Sequence, residues 1–166
     1  MKISDVGLNI IKEFEGYYAK LPNGDCKAYK CPAGVWTIGY GCTEGVKPGM
    51  VWTQKQAEEA LLKEISKLEQ GVLKLVKAPI TQNMFDALVS FSYNCGLGAL
   101  SKSTVLKRTN EQEYQAAAKA FGMWIKGGGR VLPGLVKRRA KEAELYLTPP
   151  MPSPKPDTPD RTLVVS

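Results

Sequence analysis

Leu8, Ile11 and Glu15 are spaced +3 and +4, so a carboxyl group continues an apolar helical stripe. A carboxyl on a core-facing stripe is costly to ionise, and a group that keeps its proton can donate one. The plainer alternative is a carboxylate paired with a buried arginine for structure. Further on, the run Val35-Trp36-Thr37-Ile38-Gly39-Tyr40-Gly41 places a hydroxyl, Thr37, on a strand. Four cysteines stand at Cys26, Cys31, Cys42 and Cys95. An even count permits two disulfides, but the spacings form no paired CxxC zinc pattern. Free or half-buried thiols are the ordinary reading for Cys26, Cys42 and Cys95. The chain has no histidine. That excludes Ser-His-Asp and Cys-His nucleophile pairs, the HExxH zinc site and His-containing zinc fingers. The chemistry left is that of carboxylates, hydroxyls, thiols, lysine and arginine, with no metal or cofactor implied. A proton-donating glutamate beside a polar partner fits glycoside hydrolysis, in which a second group across the sugar activates water or attacks carbon.

The elements that must position these groups follow from periodicity. Ser4 or Asp5 opens the first helix and Gly16 stops it. Residues 17–49 are rich in Gly, Pro, Tyr and Thr and read as a small antiparallel sheet with irregular loops. Thr53 and Gln56 form a capping box. The stripe Ala57, Leu61, Ile65, Leu68, Val72, Leu75 then predicts a helix roughly 35 Å long at ~1.5 Å per residue, joining two lobes. Residues 81–94, begun by Thr81, are apolar nearly all round and should form the centre of a helical lobe. Asn110 and Glu113 predict the cap of a third helix carrying Tyr114, Ala117, Ala118, Phe121 and Ile125. Gly127-Gly128-Gly129 reads as a flexible break. Pro133-Gly134 opens a last helix with the stripe Val136, Ala140, Ala143, Leu147. Within it, Lys137-Arg138-Arg139-Ala140-Lys141 reads as a solvated face. From Thr148 the composition turns to proline, which predicts a disordered or extended tail over 148–166.

The formal net charge is +7, and the tail's two acids and two bases assign it to the domain over 1–147. Such a field favours polyanions: nucleic acid, anionic lipid or anionic wall polymer. The aromatics lie on apolar stripes instead of between basic residues, which argues against nucleic acid. No apolar run approaches the ~20 residues of a membrane span, and residues 1–5 lack the features of a signal peptide. These features predict synthesis in a cytoplasm without stable membrane insertion.

Glu15-Gly16 and the stretch Ala28-Tyr29-Lys30-Cys31-Pro32-Ala33-Gly34 running into Val35–Gly41 are joined by three further segments. These are Asn94-Cys95-Gly96, Ser103-Thr104-Val105-Leu106 and Gly134-Leu135-Val136-Lys137-Arg138-Arg139-Ala140-Lys141-Glu142. In this order they resemble the phage lysozymes of glycoside hydrolase family 24, over nearly all of residues 3–147. The resemblance implies an α+β lysozyme-like fold, a small antiparallel β lobe joined by a long helix to a helical lobe. It implies an endolysin that hydrolyses the β-1,4 bond between N-acetylmuramic acid and N-acetylglucosamine in bacterial peptidoglycan and causes host-cell lysis. It further implies a monomer, held in the host cytoplasm until a holin releases it to the periplasm and cell wall.

Residue by residue, Glu15 matches the family's general acid. Cys31 stands where the family has Asp or, in a subset, Cys. Thr37 matches the family's threonine that helps place the nucleophilic water, and it keeps the five-residue gap from Cys31. Arg138 resembles the arginine that pairs with the catalytic glutamate. Tyr93, Asn94 and Ser103 look like cleft positions, with packing or capping as the alternative. Two departures matter. Fifteen residues separate Glu15 from Cys31, where the family has eight, and the extra loop near Lys20–Cys26 brings in Asp25 as a competing second carboxylate. Tyr29, Gly34 and Thr37 keep the register of Cys31, which is therefore preferred. Cys42 stands where the family often has a structural histidine. A thiol is only slightly ionised near neutrality, so Glu15 is expected to supply most of the rate and Cys31 less. A disulfide from Cys31 to Cys26, Cys42 or Cys95 would hold the site inactive until reduced. Two rivals stay open: a lytic transglycosylase on the same bond, and a non-catalytic peptidoglycan-binding protein on the lysozyme fold.

Overall fold

The computed structural model describes residues 1–150, and the predicted tail from Met151 onward lies outside the described residues. The first helix, α1, spans Asp5–Glu15, buries Ile10 and Ile11, and ends at Gly16, whose φ of 74° suits a residue without Cβ. Ser4 stands at its N-cap but does not cap it with its side chain. Its hydroxyl and its N–H both go to the buried carboxylate of Asp86, tying the helix start to the core.

Next comes the small lobe. Strand β1 (Cys26–Lys27) precedes β2 (Tyr29–Lys30) and β3 (Trp36–Thr37), and β4 spans Val51–Trp52. The sheet is two separate antiparallel ribbons. In one, Tyr29 lies opposite Thr37 and Lys30 opposite Trp36; in the other, Cys26 lies opposite Trp52 and Lys27 opposite Val51. The lobe thus extends beyond residue 49, because β1 takes its partner from the segment just before the long helix. That helix, α2, runs Gln54–Leu75 with its capping box formed in both directions between Thr53 and Gln56. Ala57, Leu61, Ile65, Leu68 and Val72 face inward.

In the helical lobe α3 spans Gln82–Cys95 and is capped by the Thr81 hydroxyl at the N–H of Met84. Residues Phe85 to Ser92 are all buried, and α3 packs against α1 and α2, as the all-round apolar pattern predicts. Two short helices follow, α4 (Leu97–Lys102) and α5 (Thr104–Asn110), then α6 (Tyr114–Ala120) and a 3-10 turn over Phe121–Met123. The expected Asn110–Glu113 cap is not made. Asn110 closes α5, and its side chain accepts from the N–H of Lys77 and donates to the carbonyl of Leu75. Glu113 precedes α6 without a side-chain cap bond. The helix stops well before Ile125. Gly128 and Gly129, both at positive φ, form a tight turn between β5 (Lys126–Gly127) and β6 (Arg130–Val131). The triple glycine is therefore a hairpin and not a loose break.

The last helix, α7, spans Pro133–Leu147 and packs on α3, the 3-10 turn and α6. Its buried face is not the predicted one. Val136, Ala140 and Leu147 are exposed, while Arg138, Arg139, Glu142, Leu145 and Tyr146 are buried. The basic run is thus solvated at Lys137, Ala140 and Lys141 but buried at Arg138 and Arg139. Arg139 Nε lies 2.7 Å from Glu142 Oε1 and Arg138 Nε lies 3.3 Å from its Oε2, so the two cations enter the core with an acid of their own. Buried charge is tolerated only when paired in this way.

Candidate active site

Glu15 closes α1, and Gly16 turns the chain away, leaving the carboxyl at the border of the two lobes with 19% of its side-chain surface exposed. Arg138 Nη1 donates to Glu15 Oε1 at 2.7 Å. The guanidinium is itself fixed: Nη2 donates to the Ser90 carbonyl at 3.1 Å, Nε faces Glu142, and the Phe14 ring lies 5.8 Å away. Burial pushes the Glu142 carboxyl up, and the two guanidiniums and the Ser90 hydroxyl pull it back. The other oxygen of Glu15 lies against Gly41. A Cβ there would stand 2.8 Å from Oε2, so the carboxyl occupies the space that a side chain would take.

One cavity is lined by this carboxyl, and a second is lined by Gly41, which lies against it. One, of about 470 Å³, is lined by Glu15 with Phe14, Asn94, Leu135 and Arg138. The other, of about 550 Å³, is lined by Gly41 with Cys42, Trp52, Lys63, Glu64 and Tyr93. Tyr93 is held in place by donating its hydroxyl to the Tyr40 carbonyl at 2.8 Å. Asn94 accepts from Arg139 Nη2 at 2.9 Å. Ser103 lines neither cavity. It is buried, caps α5 at the N–H of Leu106, and donates to the Leu100 carbonyl.

Cys31 sits at the mouth of the β2–β3 hairpin, where its N–H donates to the Val35 carbonyl at 2.9 Å and its carbonyl accepts from Gly34. The thiol is half-buried and free. The backbone N–H of Val35 above all, helped by that of Ala33, holds it below the usual thiol range. Thr37 is buried on β3 and donates its hydroxyl to the Val35 carbonyl at 3.1 Å. Tyr29 lies opposite Thr37 on the hairpin. Burial first, then the charges of Tyr18, Cys31 and Glu15, push its hydroxyl up. Asp25 belongs to a different loop, where its carboxylate accepts from the Asn23 amide at 2.9 Å, and it lines neither cavity.

Cys26 is fully buried, and Cys42 and Cys95 are half-buried; all are free thiols, and no disulfide holds Cys31. Among the described residues no group of three or more Cys, Asp or Glu is placed to hold a metal ion, and no helix is long and apolar enough to cross a membrane. Sequence reasoning missed Gly41, Trp52 and the Ser90–Glu142 support of Arg138. The spacing of Arg138, Arg139 and Glu142 at +4 and +3 on one helix was the available signal for the last of these.

A two-ribbon β lobe and a helical lobe joined by one long helix, with a carboxyl at their border, define a lysozyme-like α+β protein. The Phage lysozyme family profile matches residues 12–142, and the chain belongs to that family. It is 46% identical over 151 residues to an endolysin of Bacillus phage B103, covering 89% of this chain and 55% of the relative, so it spans about half that protein's length. Among solved structures it resembles an endolysin from Escherichia coli O157:H7 phage FAHEc1, with TM-score 0.80 and 40% identity over 92% of this chain and 98% of that one. The muramidase domain of SpmX from Asticaccaulis excentricus gives TM-score 0.79 and 40% identity over 89% and 99%.

Proposed function

We propose that this chain is an endolysin that hydrolyses the β-1,4 bond between N-acetylmuramic acid and N-acetylglucosamine in peptidoglycan. The observation that carries the reading is the double hold on Glu15: one oxygen is gripped by Arg138 and the other lies against Gly41, with the carboxyl lining one cavity and Gly41 lining a second. Glu15 gives its proton to the glycosidic oxygen as the bond to the anomeric carbon breaks. Thr37 has spent its own proton on the Val35 carbonyl, so its free lone pairs are left to accept from a water. That water attacks the anomeric carbon and passes its proton to the Cys31 sulfur, whose thiolate is favoured by the hairpin N–H groups. Arg138 acts as the positioning residue for Glu15. The substrate is the cell wall, and the positive domain is drawn to anionic wall polymer.

The test is release of reducing ends from purified peptidoglycan. Glu15→Gln should lower the rate by about 10²-fold or more, and lysis of permeabilised cells should fall with it. A glutamine variant as fast as the parent would overturn the assignment. Muropeptide masses one water short of the hydrolysis products would show a transglycosylase instead.

A further inference from the structure

We propose that the cavity lined by Glu15 is a subsite for the 2-acetamido group of an amino sugar, with Asn94 donating to its carbonyl oxygen and Phe14, Leu132 and Leu135 taking its methyl group. The inference rests on the reading of that cavity as a glycan site. Three element ends meet there. The end of α1 supplies Phe14 and Glu15, the last turn of α3 supplies Asn94, and the start of α7 supplies Pro133 to Leu135. Asn94 therefore lines the same cavity as the candidate acid. Its amide has one way to face. Arg139 Nη2 donates to it at 2.9 Å, and a guanidinium can only donate, so the atom it meets is the oxygen. The Cys95 thiol donates to the same oxygen at 3.6 Å. Arg139 is itself buried and fixed, with its Nε 2.7 Å from Glu142 Oε1. The amide N–H2 is thus the end of Asn94 left for a ligand, and among the described residues it donates to no protein acceptor.

The rest of the wall is apolar. Leu132 is 41% exposed yet firmly seated. Its N–H donates to the Ile125 carbonyl at 3.0 Å. Its side chain lies so close to the β5–β6 hairpin that a Cβ on Gly127 would stand 2.6 Å from Leu132 Cδ1. Phe14, Pro133 and Leu135 complete this surface. Arg138, the cation of the wall, has all three nitrogens engaged, by Glu15, the Ser90 carbonyl and Glu142. A carboxylate entering here would face Glu15 with no uncommitted cation lining the cavity. One neutral donor beside apolar surface instead matches an acetamido group, which sets an acceptor oxygen next to a methyl. The lactyl and stem-peptide carboxylates of peptidoglycan do not fit that description.

The experiment compares kcat/KM on soluble glycan strands freed of stem peptides, in N-acetylated and de-N-acetylated form. The parent should prefer the acetylated strands by about tenfold or more. Asn94→Ala should lower that preference about tenfold. Leu132→Ser, which leaves the Arg139 contact untouched, should lower it about threefold. A general loss of activity or stability, which is all that a structural role would cause, cancels in the ratio. The parent's ratio retained by Leu132→Ser, or by a folded Asn94→Ala, would overturn the subsite, as would a preference seen only on strands that keep their stem peptides. The same ratio is read as affinity in a Glu15→Gln background. A parent chain that hydrolyses nothing, with a selective binding of acetylated strands that Asn94→Ala abolishes, would sink the hydrolase reading and support the subsite.

Discussion

A thiol at the proposed second catalytic position would tie part of the rate to pH in a range where a carboxylate would already be fully ionised. The hairpin N–H groups hold the Cys31 thiol below its usual range, so its thiolate population rises with pH earlier than that of an ordinary cysteine. The parent should therefore gain activity as pH climbs through that region, and Cys31→Ser should lack this limb while keeping the Glu15-dependent remainder. A pH–rate profile of both proteins checks it; superimposable profiles would remove Cys31 from the mechanism. Arg138 serves two carboxylates at once, Glu15 and Glu142. Arg138→Met leaves Glu142 with less compensation in the core and should cost about 3–5 kcal/mol of stability, read as a lower urea midpoint. Activity should be lost even where the variant is still folded, because Glu15 then has no tether.

At the scale of elements, one glycine of the small lobe, Gly41, shapes a cavity wall. Gly41 has φ of 86°, and any Cβ there meets the Glu15 carboxyl. Gly41→Ala should slow turnover by about 10²-fold through displacement of that carboxyl, beyond what its modest loss in melting temperature explains. Comparison of kcat at a temperature where both proteins are folded decides the point. Between the long helix and α4 the contact is equally tight, with a Cβ on Gly71 standing 2.3 Å from Leu97 Cδ1. Gly71→Ala should cost about 1–3 kcal/mol by overpacking, with kcat unchanged. Local signals sufficed for several elements: the Thr53–Gln56 box, the Thr81 start of α3 and the Pro133 start of α7 all stand where the residues place them. They failed at Asn110. Its side chain is drawn off by the backbone of Leu75 and Lys77, far along the chain, so a pattern that looks like a cap serves as a clasp between lobe segments.

Across the whole molecule, a net charge of +7 would make the approach to the proposed substrate, an anionic wall, a long-range effect. Salt shortens the reach of that field to about 10 Å at 0.1 M. KM on intact peptidoglycan should rise with ionic strength while kcat stays level, and a salt-independent KM would show that net charge does not steer the encounter.

The chain's residue order was enough to place a carboxyl at the end of an apolar helical stripe, to put Thr37 on a strand five residues past Cys31, and to outline the long helix between two lobes. Each of these depends on spacing along one segment, and spacing decides which face a side chain takes. Only the tertiary structure brought Arg138 to Glu15 across 123 positions, turned Arg138 and Arg139 inward, and set Asp25 apart from both cavities. In a helix an arginine looks like surface until a buried acid on the same helix and a carboxyl from another are packed around it. The acid on the same helix is legible from its +4 and +3 spacing, but the carboxyl from α1 is chosen by how α1, α3 and α7 meet, and no local pattern records that.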